Sequence, residues 1–283
     1  MAIFVSSLIK GFGQMEEIAR WVDGQGRDWL GVELIAFTHD EDYWDRLNRL
    51  LPALTCPLTF HGPYIGVEAA SPRGTADYEH MVDSYRRVCG LAAKYKVKHI
   101  VFHYTQKGVT EEERFRAQAV SRENIRTVLD IGREFGVEIV VENLPLPASD
   151  QPLFDNEEYA GLYREMPDLT GIIDVGHARL TGLDLEAMLA DWGSRIHAYH
   201  FHNNDGVRDC HNRLDDGVID YRALAGLYRK YTPDARIVLE YEPHAWVSEE
   251  RLAEDIRVVR ELYIVAAAGC RSEIRFLDGS GVV

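Results

Sequence analysis

Residues 195–221 read RIHAYHFHNNDGVRDCHNRLDDGVIDY. Along Ile196, Ala198, His200 and His202 a period of two places four side chains on one face of a strand, with His202 nearest its C-terminal end. Asp209 and His211 follow in the loop. A carboxylate and an imidazole one residue apart can converge on a cation, since they are the usual oxygen and nitrogen ligands of zinc and similar divalent metals. Cys210 lies between them and reads as a bystander pointing the other way. Taken alone, the triplet also has an ordinary reading as loop polarity. The other strands decide between the two.

Working outward, short apolar runs near 2–6, 29–35, 57–61, 98–103, 137–142, 170–174, 196–202 and 236–241 alternate with helical periodicity. The helical segments are 14–24, 41–50, 75–95, 111–135, 155–165, 184–192, 220–230 and 248–263. Strict alternation of this kind predicts parallel strands joined by crossover helices, and eight repeats at this length predict an α/β fold, a single (β/α)₈ barrel over residues 1–263. A doubly wound open sheet is the alternative, but it gives no reason for polar residues at so many strand ends. Those ends carry His61, His103, Glu142, Asp174, His202 and Glu240, one from each of six successive strands. Glu33, in the second strand, either reaches substrate or pairs with a neighbouring cation. Singly, each of these could cap a helix or a loop. Together they are costly at the mouth of a packed barrel unless paired or bound to a cation.

The chain has 283 residues and a formal net charge of −15, a sign that repels polyanions and argues against nucleic acid as a partner. Its four cysteines are widely spaced, as suits a reducing compartment, and no run reaches the length of a membrane span, so a cytoplasmic protein without membrane attachment is expected. His80, His99, His197 and His244 have no partner evident from the sequence. The tail, 264–283, falls outside the repeats and is expected to pack on the barrel or at an interface of a homo-oligomer.

At this point the pattern resembles the xylose isomerase-like barrel superfamily, which includes sugar isomerases, keto-sugar 3-epimerases and the endonuclease IV group. Asp174-Val-Gly-His177-Ala with Gly182 and Asp184-Leu185 looks like the endonuclease IV segment after strand six. Asp209-Cys-His211 followed by Leu214, Asp216-Gly217 and Ile219 is similar to that group's next stretch. The resemblance implies up to three divalent ions, Mn²⁺ or Zn²⁺. His61, His103 and Glu142 would hold one, Glu142, Asp174, His202 and Glu240 a second, and His177, Asp209 and His211 a third. The epimerase subset implies the four-residue site alone, with Glu142 and Glu240 as catalytic base and acid around an enediolate.

Substrate contacts are then expected from His177, Arg208, Tyr64 and Lys107. The acidic loops THDEDYWD and EEE near the expected mouth oppose a phosphate backbone, which favours a small carbohydrate or sugar phosphate as substrate of an isomerase or epimerase. The alternative is a multi-zinc phosphoesterase of the endonuclease IV type. A non-catalytic barrel that keeps a structural metal is a third reading, disfavoured by the intact acid/base pair.

Overall fold

Eight parallel strands close on themselves in chain order, each hydrogen-bonded to its sequence neighbours and the last to the first. The computed structural model describes residues 2–264; the tail at 264–283 lies outside them apart from its first residue. The strands are β1 (Ile3–Ser6), β2 (Leu30–Ile35), β3 (Leu58–His61), β4 (Ile100–Phe102), β5 (Ile139–Glu142), β6 (Thr170–Asp174), β7 (Ile196–Phe201) and β8 (Arg236–Leu239). Nearly every strand residue is buried, as expected of a parallel sheet covered by helices outside and side chains inside.

Among the described residues the α-helices are α1 (Met15–Gly24), α2 (Glu41–Leu50), α3 (Ala76–Tyr95), α4 (Glu111–Phe135), α5 (Asn156–Glu165), α6 (Val175–Thr181), α7 (Leu185–Trp192), α8 (Tyr221–Tyr231) and, after the last strand, α9 (Glu249–Val259). Their starts are chemically marked. Asp40, Thr75, Thr110, Asp155, Asp184, Asp220 and Ser248 each accept a backbone N–H of the first turn. The helix α6 was not anticipated; it begins directly at the end of β6 with Asp174 as its cap, so the strand-six motif Asp174-Val-Gly-His177 is a strand-to-helix corner. None of the described helices is long and apolar enough to cross a membrane.

Inside the barrel Val101, Val140, Ile172 and Ala198 form a small apolar cluster separate from the main core. They come from β4 to β7 and fill one half of the interior. On the other half, β2 and β3 bring Glu33 and Thr59 side by side in register, with His99 next to them, all fully buried. Two residues beyond Val101, Val140, Ile172 and Ala198 stand His103, Glu142, Asp174 and His200, so the strand period lifts each onto the rim.

Candidate metal centre at the barrel rim

The strand ends bring their ligand-type side chains into three adjoining groups: His61, His103 and Glu142; Glu142, Asp174, His200 and Glu240; and His177, His202, Asp209 and His211. This differs from the sequence-based grouping at one point. His202 does not join Glu142 and Glu240; His200 does. The register between β6 and β7 slips at Gly171/Ile172, after which Asp174 pairs with His200. His200 therefore lies level with Asp174, while His202 stands beyond the last residue of β7, one layer higher, and turns towards the loop.

At the centre, His200 Nδ1 lies 3.0 Å from Glu142 Oε1, 3.3 Å from Glu240 Oε2 and 3.8 Å from Asp174 Oδ2. Its Nε2 donates to Glu33 Oε1 at 3.0 Å. Burial opposes charge on this imidazole, but Glu240, Glu142 and Glu33 outweigh it and hold its pKa well above the usual value. The two rim carboxylates separate. Burial raises Glu240 to about 7 despite His200 and His211, whereas Glu142, equally buried, is held well below the ordinary range by His200 and His103.

Beside this centre, His103 Nε2 donates to Glu142 Oε2 at 2.7 Å, and His61 Nε2 lies 3.8 Å from the same oxygen. Burial lowers the pKa of His61 to about 4, helped by its neighbour His103. On the other flank Asp209 Oδ2 faces His177 Nε2 at 3.1 Å and His211 Nε2 at 3.3 Å. Against burial, Asp174 and Asp209 carry His177 to about 10, and Asp209 and Glu240 carry His211 to about 9. His202 stacks on His211 with ring centroids 3.7 Å apart and donates Nε2–H to Asp174. Its Nδ1 is buried without a hydrogen-bond partner among the described residues.

These residues fit divalent ions. Carbonyl oxygens only accept, so the contacts of His61 Nδ1 with Gly62 O, His177 Nδ1 with Asn143 O and His211 Nδ1 with Glu240 O fix a proton on Nδ1 and make Nε2 the nitrogen that would ligate an ion once its own proton leaves. The central group, three carboxylates and one imidazole, suits a harder ion such as Mn²⁺ while remaining open to Zn²⁺; the third group, rich in nitrogen, suits zinc. Without a cation, this much buried carboxylate is balanced only by protonated imidazoles.

A model of the xylose isomerase-like TIM barrel matches residues 28–262. The chain belongs to the xylose isomerase-like TIM barrel family. No curated protein matches it. Among solved structures, this xylose isomerase-like barrel is similar to a D-tagatose 3-epimerase-like protein, at 19% identity and a TM-score of 0.72, over 92% of this chain and 99% of that one. It is also similar to a Thermus thermophilus protein soaked with zinc chloride (23% identity, TM-score 0.66, 92% and 99% covered). A third is D-psicose 3-epimerase with D-tagatose from Clostridium cellulolyticum (14%, TM-score 0.69, 93% and 98% covered).

Above the three groups the barrel opens into a cavity of about 340 Å³, within the range of small-molecule sites. Tyr64, Lys107 and His177 line it, as expected from the sequence. Arg208 does not. Its side chain is 77% exposed and paired with Asp205, which also accepts the backbone N–H groups of Val207 and Arg208 and so folds the guanidinium away from the mouth. Opposite the ligands, Leu144, Pro145, Leu146 and Phe154 form an apolar wall that the sequence reading did not anticipate.

Other residues also sit differently from expectation. Glu33 is beneath the site and fully buried, so it cannot reach substrate. His99 Nε2 stands 3.6 Å from it, His197 pairs with Glu138, and His244 pairs with Asn212. Asn143, missed in the sequence, holds Asp174 at both backbone atoms, its side chain accepting Asp174 N–H at 2.8 Å and donating to Asp174 O at 2.9 Å. Its signal was present: an amide side chain directly after a strand-ending Glu. His211 adopts a left-handed conformation at φ 44°, strain of the kind concentrated at functional loops.

Proposed function

We propose that this protein is a divalent-metal-dependent isomerase or epimerase of small sugars or sugar phosphates, with Glu142 and Glu240 as the acid/base pair. One observation carries the reading: the two carboxylates come from strands β5 and β8, converge within 3.3 Å of the same imidazole nitrogen, and open into a single concave cavity. Glu142, Asp174, His200 and Glu240 would hold the central ion, which when bound polarises a carbonyl and an adjacent hydroxyl. One glutamate then takes the proton from the carbon that bears the hydroxyl, and the other returns a proton either to the opposite face of that carbon (epimerisation) or to the former carbonyl carbon (isomerisation). The apolar residues Leu144, Pro145, Leu146 and Phe154 bound the cavity in which that exchange takes place. Lys107 supplies a positive charge at the rim for an anionic end of the substrate. The similar structures with epimerase chemistry in their names support this choice.

The test is incubation in D₂O with a panel of ketoses, aldoses and their phosphates, using protein loaded separately with Mn²⁺, Co²⁺, Mg²⁺ or Zn²⁺. Solvent deuterium should enter one carbon of a substrate, seen by NMR, and an isomer should accumulate. Loaded protein that exchanges no proton with any of them would overturn the reading.

A second reading, a multi-zinc phosphoesterase, is favoured by the completeness of the two flanking groups, which a one-ion epimerase does not require. Hydrolysis of abasic-site DNA or of small phosphodiesters by zinc-loaded protein would establish it instead.

A further inference from the structure

We propose that Glu33 is the positioning residue of the central ion site: by accepting the Nε2–H of His200 it makes Nδ1 that imidazole's ligand atom. The inference rests on the central ion of the proposed function. It starts from a contrast among the histidines of the rim. His61, His177 and His211 each tie Nδ1 to a backbone carbonyl and present Nε2. His200 is reversed. Its Nδ1 faces the three carboxylates, and its Nε2 points down into the barrel onto Glu33 Oε1 at 3.0 Å.

Among the described residues no backbone carbonyl takes that role, because His200 stands inside the barrel, where the strand carbonyls are spent on the ladders. A side-chain acceptor has to come from another strand. β2 supplies it from the far side of the interior, and Glu33 is itself held by the Thr59 hydroxyl, which donates to Oε2 at 3.1 Å, with His99 Nε2 at 3.6 Å. This is a carboxylate at 0% exposure beside Thr59 and His99, in an interior whose other half is filled by Val, Ile and Ala. It does not line the cavity, so contact with substrate does not account for it. Burying a carboxylate at that depth is costly unless it is fully paired. Its nearest ionic partner among the described residues is His200 at 3.0 Å, with His99 further off at 3.6 Å. A carboxylate behind a ligating imidazole fixes the tautomer and raises the basicity of the ligand nitrogen, and losing such a partner typically weakens metal affinity about 10–100-fold.

The experiment is a zinc titration of the full chain against a competing chelator, in the wild type, in Glu33→Gln and in His200→Ala. His200→Ala identifies the binding step that belongs to the central site. That same step should weaken about 10–100-fold in Glu33→Gln while the remaining steps stay in place. A long-range ¹H–¹⁵N spectrum of the zinc-loaded wild type should show His200 with the proton on Nε2 and the metal on Nδ1. This readout needs no variant and stands if Glu33→Gln does not fold. An unchanged His200-dependent step in a folded Glu33→Gln, or zinc on Nε2 of His200, overturns the proposal. Wild-type protein that takes up no ion at that step fails both this inference and the proposed function. A chain that loads the ion as described yet exchanges no substrate proton fails the proposed function alone.

Discussion

Gly176 shows how closely the rim is packed at the level of single residues. A Cβ built there would overlap the ring of His202, so Gly176→Ala must push that imidazole off Asp174. We expect about 1–3 kcal/mol of lost stability, measured by denaturant unfolding, and loss of one bound zinc per chain by elemental analysis. Glu240→Gln should leave the melting temperature within a few degrees and lower turnover by about 10²–10⁴; retained activity in the deuterium-exchange assay would remove Glu240 from the mechanism. The metal-free protein should also be less stable in mild alkali than near pH 7. His177 and His211 have folded pKa values of about 10 and 9, above the unfolded value of ~6.5, so their stabilisation is complete below ~6.5 and is lost as pH rises through 9 to 10. Glu240, raised to about 7, acts in the same direction between ~4.3 and 7. Between ~4 and ~6.5 the buried His61 and His99, both lowered to about 4, oppose this trend, and below ~4 the depressed carboxylates Asp209, Glu142 and Glu33 reverse it. Thermal melts of chelator-treated protein from pH 7 to 10 check the sign, and a melting temperature that rises over that interval would contradict it.

Elements differ in whether they merely hold the barrel or also aim a ligand. The helix α5 starts with a full capping box, in which Asp155 accepts from Glu158 N–H and the Glu158 side chain accepts from Asp155 N–H. Asp155→Ala should cost about 1 kcal/mol and leave zinc stoichiometry unchanged. At the β6–α6 corner the same type of cap is also a site residue, since Asp174 receives the His177 N–H at 2.6 Å and is clamped by Asn143. Asn143→Ala strands two buried backbone groups and should cost about 2–4 kcal/mol, together with measurably weaker zinc binding; an unaffected zinc titration would limit Asn143 to a structural role. Most strand and helix boundaries were legible because hydrophobic period and cap residues are local signals. The choice of His200 over His202 was not, because both satisfy the period of two. Only the slip between β6 and β7, a property of two strands together, decides which one stands level with Asp174. The position of Arg208 was legible in principle, since Asp205-Gly206 is a turn signal whose carboxylate takes the N–H groups that follow.

For the whole molecule, the alternation of strands and helices made the closed barrel readable, and six ligand-type strand ends made the rim readable. The interior was not readable, because whether Glu33 points at substrate or at His200 depends on contacts across the barrel axis. The overall charge of −15 bears on partners. Zinc-loaded protein should show no anisotropy change with a fluorescent abasic duplex even at low salt, and binding there would favour the phosphoesterase reading.

The pairing of Ile3 with Ile237 carries a consequence in time. The first strand finds its second neighbour only when β8, the last strand, has been synthesised, so an emerging chain carries β1 with one edge open until then. Glu240 also leaves the ribosome last of the central group, and until then Glu142 and Asp174 have no enclosed place to meet an ion. Chains arrested short of β8 should therefore be sticky and lack the central ion, which makes the final crossover the step at which a nascent polypeptide either matures or aggregates.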